Sequence, residues 1–386
     1  MARTRSRALA VILAPLLLAA ACGPGAPAPA APAKPASSAA NTPSAPVAAA
    51  PTSAASAPPT APAAPPAARE PATVQVGVLA ILAEAGMYIA QERGYFAEEG
   101  ITADFITFDT GAKAIPALAT SQVDASGGAF SPGFVNAVQR GVDVKMVGSL
   151  SSYEEGFNSG YLMVRKELAD SNAIRDWPDF RGRSIAIPPG RPTVGDYTVA
   201  RGLAHGGLTL ADVNIVELPF PDMIPAFANG SIDAAHTSEP FSTLAADRGV
   251  AAKWKATVDY APGLTPAVLT YGPSLLHNPS DVGQRFMTAY LRGARDYTTA
   301  FKQGTDRAAI VQMLIKHTSV KDPALYDRMG LSYIDPDGTL NVANLIDQQA
   351  FYVDFGAIPN PIDVTTVVDN RFRDAALQRL GPYQAR

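Results

Sequence analysis

Ile115-Pro116-Ala117-Leu118-Ala119-Thr120-Ser121-Gln122-Val123-Asp124-Ala125 aligns without gaps on Ile224-Pro225-Ala226-Phe227-Ala228-Asn229-Gly230-Ser231-Ile232-Asp233-Ala234, with six of eleven positions identical. Alanines count for little in an alanine-rich chain, but the Ile-Pro and Asp-Ala pairs stand in the same frame. Each copy reads as a helix, a turn and a short strand carrying an aspartate. Each runs on into small or polar residues: Ser126-Gly127-Gly128-Ala129-Phe130-Ser131-Pro132 in the first, Ala235-His236-Thr237-Ser238-Glu239-Pro240-Phe241 in the second. Two related α/β lobes follow from the repeat. Ligands of open α/β sheets lie beyond the carboxyl ends of the strands, so both loops are expected to face one cleft.

The surroundings of the first copy agree. Val74 to Leu79 is a β-rich run, and Ala83 to Arg93 suits a helix with Gly94 as its stop. Ile101 to Phe108 reads as a second strand, after which Asp109 or Thr110 would cap the next helix. Strand, helix and strand at this spacing imply βαβ units and a mainly parallel sheet.

The N-terminus is different in kind. Arg3, Arg5 and Arg7 precede an apolar run from Ala8 to Ala21, whose 14 residues fall short of the roughly 20 that span a bilayer. It ends Leu18-Ala19-Ala20-Ala21-Cys22-Gly23, which resembles a bacterial lipobox with its leucine one step early. The expectation is an export signal over residues 1–22, with Cys22 lipidated; ordinary cleavage in the small-residue run is the other reading. Residues 23–73 are mostly Ala, Pro, Ser and Thr, with too little apolar bulk to offset the entropy of ordering. A flexible chain of that length reaches about 40 Å. It serves as a tether, a glycosylated stalk being the lesser reading. Beyond it no apolar run is long enough to span a membrane.

Composition removes several classes of function. A net charge of −4 over 386 residues offers no basic field for nucleic acid. A single cysteine excludes a disulfide framework or a Cys-built metal centre. His205, His236, His277 and His317 are scattered. No Gly-x-Ser-x-Gly elbow, phosphate-binding loop or His-Glu-x-x-His helix is present. His236 and Glu239 are three apart in a loop, with no third metal ligand in sight.

Met87-Tyr88-Ile89-Ala90-Gln91-Glu92-Arg93-Gly94-Tyr95-Phe96-Ala97-Glu98-Glu99-Gly100 closely resembles the opening motif of bacterial solute-binding proteins of the alkanesulfonate, nitrate, taurine and thiamine-pyrimidine-precursor transport family. Leu218-Pro219-Phe220-Pro221-Asp222-Met223, Ser231 to Ala234, Glu239-Pro240-Phe241 and Arg285 to Gly293 fit the same pattern in the same order. The resemblance implies a type II periplasmic-binding fold: two α/β lobes joined by two crossings near Tyr161–Arg165 and Ala267–Tyr271. Lobe one would comprise residues 74–165, lobe two 166–266, and 267–386 would return to lobe one with mostly helices. It further implies an exported cell-envelope protein, expected as a monomer, that binds one small molecule without changing it and hands it to an ABC permease in the membrane. No cofactor and no metal are expected. A pyrimidine synthase of the same fold and a tethered sensor without a transporter are the alternatives.

The expected ligand contacts come from both lobes. In lobe one, Gly128, Phe130 and Ser131 stand where a strand ends and a helix begins, and Ala83 belongs to an apolar loop expected to form a wall. That loop lacks the polar residues usual in the family, which weighs against a strongly anionic substrate. In lobe two, Gly190, Arg191 and Thr193 follow a strand: Arg191 would pair a sulfonate, carboxylate or nitrate, or sit solvated in the loop. Tyr197 would stack on a planar ligand or pack in the core. Ser238 and Glu239 follow the second repeat; Glu239 would accept from an amine, or serve at a helix start.

Overall fold

The computed structural model describes residues 70–108, 110–279 and 281–385. The export signal, Cys22, almost all of the tether and the alternative cap Asp109 lie outside the described residues. The strands are β1 (Ala72–Val78), β2 (Ile101–Thr107), β3 (Ala125–Gly128), β4 (Lys145–Ser151), β5 (Gly160–Arg165), β6 (Ser184–Ile187), β7 (Asn214–Glu217), β8 (Ala234–Ser238), β9 (Ala251–Ala256) and β10 (Ala267–Tyr271). They form two five-stranded sheets of matching order, β2-β1-β3-β10-β4 and β7-β6-β8-β5-β9. In each, the fourth strand runs antiparallel to both neighbours. The architecture is mixed α/β in two lobes.

The repeat has a physical cause at its aspartates. Asp124 Oδ2 accepts from Gln75 N at 2.7 Å, while Asp124 N donates to Gln75 O at 2.8 Å. Asp233 Oδ2 accepts from Ser184 N at 3.0 Å, and Asp233 N donates to Ser184 O at 3.0 Å. Each carboxylate thus satisfies a backbone donor at the start of the parallel pairing, which runs Val76–Ala125 in one sheet and Ile185–Ala234 in the other. The carboxylate bond needs a short acceptor side chain at this position, and aspartate supplies it in both copies.

The chain passes to the second sheet between Ser151 and Gly160, and returns between Ala256 and Ala267. Tyr161–Arg165 and Ala267–Tyr271, near which the crossings are expected, are strand residues of β5 and β10, and the passages lie just before them.

Helix Val282–Gln303 anchors the C-terminal part on lobe one. Phe286, Tyr290, Leu291, Ala294 and Tyr297 recur at helical spacing and are wholly buried. The helix approaches Ala85–Glu92 backbone to backbone: a Cβ on Gly293 would lie 2.0 Å from Gly86 O. Helix Val342–Asp354, also in the stretch expected on lobe one, touches both lobes. Leu345 and Tyr352 enter a lobe-one cluster with Phe130 and Phe134. On lobe two, Tyr197 Oη donates to Asp347 Oδ2 at 2.5 Å and its ring meets Phe351 edge-on.

Candidate functional site

The carboxyl ends of β1 and β4 in one sheet and of β8 in the other meet at one place, which the segments following β3 and β6 do not line. A cavity of about 160 Å³ lies there, beyond the carboxyl ends of β1, β4 and β8 and beside the starting ends of β5 and β10. Lobe one contributes Ile81, Leu82, Ala83 and Ser151, and lobe two contributes Phe220, Ser238, Glu239, Pro240 and Phe241. Ser159 and Pro266 come from the two passages, while Ser319, Val320, Met329 and Ser332 close it from the C-terminal segment. The cavity therefore has walls from each part of the chain that would move if the lobes separated.

Among the expected contact residues, Ala83, Ser238 and Glu239 line this cavity. Gly128 packs against Gly111, where a Cβ on it would stand 3.0 Å from Gly111 Cα. Phe130 is fully buried against Phe134 and Tyr352. Ser131 and Thr193 cap the helices Pro132–Gln139 and Val194–Ala204, accepting from Phe134 N at 3.4 Å and Gly195 N at 3.1 Å. Gly190 N donates to Glu217 at 2.7 Å. Arg191 Nε donates to buried Asp196 at 2.6 Å, and its guanidinium lies over the Phe355 ring. Tyr197 packs in the lobe-two core with its hydroxyl on Asp347.

Glu239 is held by four hydrogen bonds. Its Oε1 accepts from Lys253 Nζ at 2.7 Å, Thr243 Oγ1 at 3.0 Å and Gly330 N at 3.1 Å; its Oε2 accepts from Thr243 N at 3.0 Å. The Glu239 side chain is 1 % exposed, so the carboxylate is a structural joint between lobe two and the C-terminal segment. Gly330 permits that joint, since a Cβ there would fall 1.9 Å from Asn158 O. Three more hydrogen bonds knit the cavity edge: Glu239 N to Ser159 O at 2.8 Å, Ser238 Oγ to Ser159 O at 3.2 Å, and Ser159 Oγ with Ser332 Oγ at 2.9 Å.

Glu84, which the sequence did not single out, organises the lobe-one wall. Its carboxylate accepts from Leu79 N at 2.8 Å, Ile81 N at 3.4 Å and Tyr88 Oη at 2.7 Å, and Gly127 leaves room for it. Burial pushes its pKa up to about 7, against the lowering effect of the Tyr88, Leu79 and Ile81 hydrogen bonds. His236, on β8, is buried with Nδ1 lacking a partner among the described residues, and burial holds its pKa down to about 4. No three His, Cys, Asp or Glu side chains gather as a metal site among the described residues.

Known proteins share this architecture. A putative aliphatic sulfonates-binding protein of Bacillus subtilis (strain 168) is 26% identical over 303 residues, covering 76% of this chain and 85% of its own. The crystal structure of the periplasmic aliphatic sulphonate binding protein SsuA from Escherichia coli superposes with a TM-score of 0.63 at 17% identity, over 80% of this chain and 100% of that one. The desulfurization enzyme DSZB superposes with a TM-score of 0.59 at 17% identity, over 80% of this chain and 99% of its own. The fold is thus that of the periplasmic binding proteins, and an enzyme also uses it. The family model described as NMT1/THI5 like matches residues 83–300. That stretch runs from the cavity wall at Ala83 through both repeats and into helix Val282–Gln303, and the chain belongs to the NMT1/THI5-like family.

Proposed function

We propose that this protein is the solute-binding component of an ABC importer, exported and anchored through a lipid on Cys22. It takes one small organic molecule between its lobes and delivers it, unaltered, to a membrane permease. The observation that carries this reading is the cavity at the carboxyl ends of β1, β4 and β8, walled by both lobes, both passages and the C-terminal segment. A ligand seated there touches both lobes at once, and so favours the closed arrangement over an open one by its differential contacts. The closed shape is what a permease would recognise. The relatives' names point to sulfonates; nitrate-like anions, aromatic carboxylates and pyrimidine precursors are the other classes the sequence suggests.

The likeness to a desulfurization enzyme raises a catalytic reading. Catalysis needs a nucleophile or an acid–base group free to reach the ligand. Among the described residues lining the cavity, the carboxylate of Glu239 has its oxygens committed to Lys253, Thr243 and Gly330, which favours binding over chemistry. The test is to purify the full chain from its own cells, extract the bound molecule and return it to stripped protein. Recovery of the same mass after long incubation supports the binding reading, and conversion to a product overturns it. Cys22→Ser should move the protein from the membrane to the soluble fraction; unchanged membrane association would remove the lipid anchor.

A further inference from the structure

Resting on that reading, we propose that the cavity takes an uncharged molecule about the size of one six-membered ring, carrying a hydroxyl or carbonyl group, in preference to a sulfonate or nitrate anion. The size follows from the volume. A cavity of about 160 Å³ is close to the roughly 150 Å³ apolar cavities that admit benzene. Its wall is largely apolar, and includes Leu82, Val320, Met329 and a pair of aromatic rings, Phe220 and Phe241, stacked at 5.8 Å. Apart from Glu239, the polar residues of the lining are all serines: Ser151, Ser159, Ser238, Ser319 and Ser332. A hydroxyl both donates and accepts, and so suits an alcohol, phenol or ketone oxygen without a charge.

The electrostatics point the same way. No lysine, arginine or histidine is among the described lining residues. Glu239 is neutralised by Lys253 at 2.7 Å, and that ammonium also lies over the Tyr161 ring at 4.5 Å. Arg191, the cation expected to meet an anion, is committed to Asp196 and Phe355. The amides of Leu79 and Ile81, in the loop after β1, already serve the internal carboxylate of Glu84. An entering anion would lose its water without gaining a cation or these donors, a large unmet desolvation cost. A neutral ring loses little water and gains apolar contact.

Thermal unfolding of the full chain, stripped of carried-over ligand, tests this with phenol and cyclohexanone against ethanesulfonate, taurine and nitrate. The expected result is stabilisation by phenol or cyclohexanone at concentrations at least a hundredfold below any effect of the anions. Met329→Trp, or Ser238→Phe should the first fail to fold, fills the cavity and should abolish that shift. Stabilisation by ethanesulfonate or nitrate that the filling variants abolish overturns the inference and leaves the importer reading standing. A phenol shift undiminished in a folded filling variant overturns the assignment to this cavity. No shift with either neutral probe overturns the inference too. The importer reading is then judged separately, by whether a molecule recovered from the cell-derived protein rebinds unaltered.

Discussion

Glu239, in the cavity wall, meets Lys253 at 2.7 Å, with the carboxylate side chain 1 % exposed and the ammonium side chain 26 % exposed. Removing one partner of such a pair strands the other. Lys253→Met should cost about 3 kcal/mol, and Glu239→Gln combined with Lys253→Met should recover most of it. Urea unfolding of the three variants checks this, and a Lys253→Met loss below about 0.5 kcal/mol, typical of an exposed pair, would place Glu239 in solvent instead.

The pH dependence has two opposed parts. The folded chain keeps a proton on Glu84, pKa about 7, that the unfolded chain gives up near 4.5. Its contribution to stability is therefore full below about 4.5 and lost as pH rises through 7. His236 does the reverse: the unfolded ring takes a proton near 6.5, while the folded ring resists until about 4. Its contribution is full above about 6.5 and lost as pH falls through 4. Each is worth roughly 3 kcal/mol, and between about pH 4.5 and 6.5 they oppose. Relative to the parent, Glu84→Gln should gain stability as pH rises from 4.5 to 7, and His236→Asn should gain it as pH falls from 6.5 to 4. Unfolding free energies across that range decide; parallel curves for parent and variant would refute the corresponding assignment.

Close helix packing gives a third test. Gly293→Ala sets a methyl 2.0 Å from Gly86 O and 2.8 Å from Ala90 N, both backbone atoms that cannot swing aside. A loss of about 1–3 kcal/mol is expected, seen as a fall of several degrees in Tm. An unchanged Tm would mean that the two helices do not touch at this point.

Tyr197 ties lobe two to the C-terminal segment through Asp347 at 2.5 Å and Asn344 at 3.1 Å. Tyr197→Phe keeps the ring packing and removes both bonds. The closed form should lose about 1 kcal/mol relative to an open one, weakening ligand binding by up to about fivefold. X-ray scattering of the unliganded variant should show a larger radius of gyration than the parent; identical scattering would show that this contact does not hold the lobes.

How far the sequence reached depends on whether a residue's partners are local. The repeat was legible because Asp124 and Asp233 each do the same backbone work, and that demand leaves the same letters twice. Ser131 and Thr193 were legible as polar residues following a strand, and capping is the role the folded chain gives them. Arg191 read as either an anion partner or a loop arginine, because its pairing with Asp196, five positions on, depends on how the loop folds back. Phe130 and Tyr197 are held by Tyr352 and Phe351, more than 150 positions away, and no local pattern shows that burial. Glu84 looked like an ordinary charge in an apolar loop, since its acceptor role toward Leu79 N and Ile81 N exists only once the loop has closed. The cavity's C-terminal wall, Ser319 to Ser332, carries no periodic pattern and was not foreseen.

The proposed ligand seat is shared by both lobes. Hydrogen exchange of the full chain, with and without the molecule that copurifies with it, tests this most directly. Slowed exchange in residues 79–83, 238–241 and 329–332 together is the expected result. Protection confined to one lobe, or centred on residues 188–197 without the cavity segments, would contradict it.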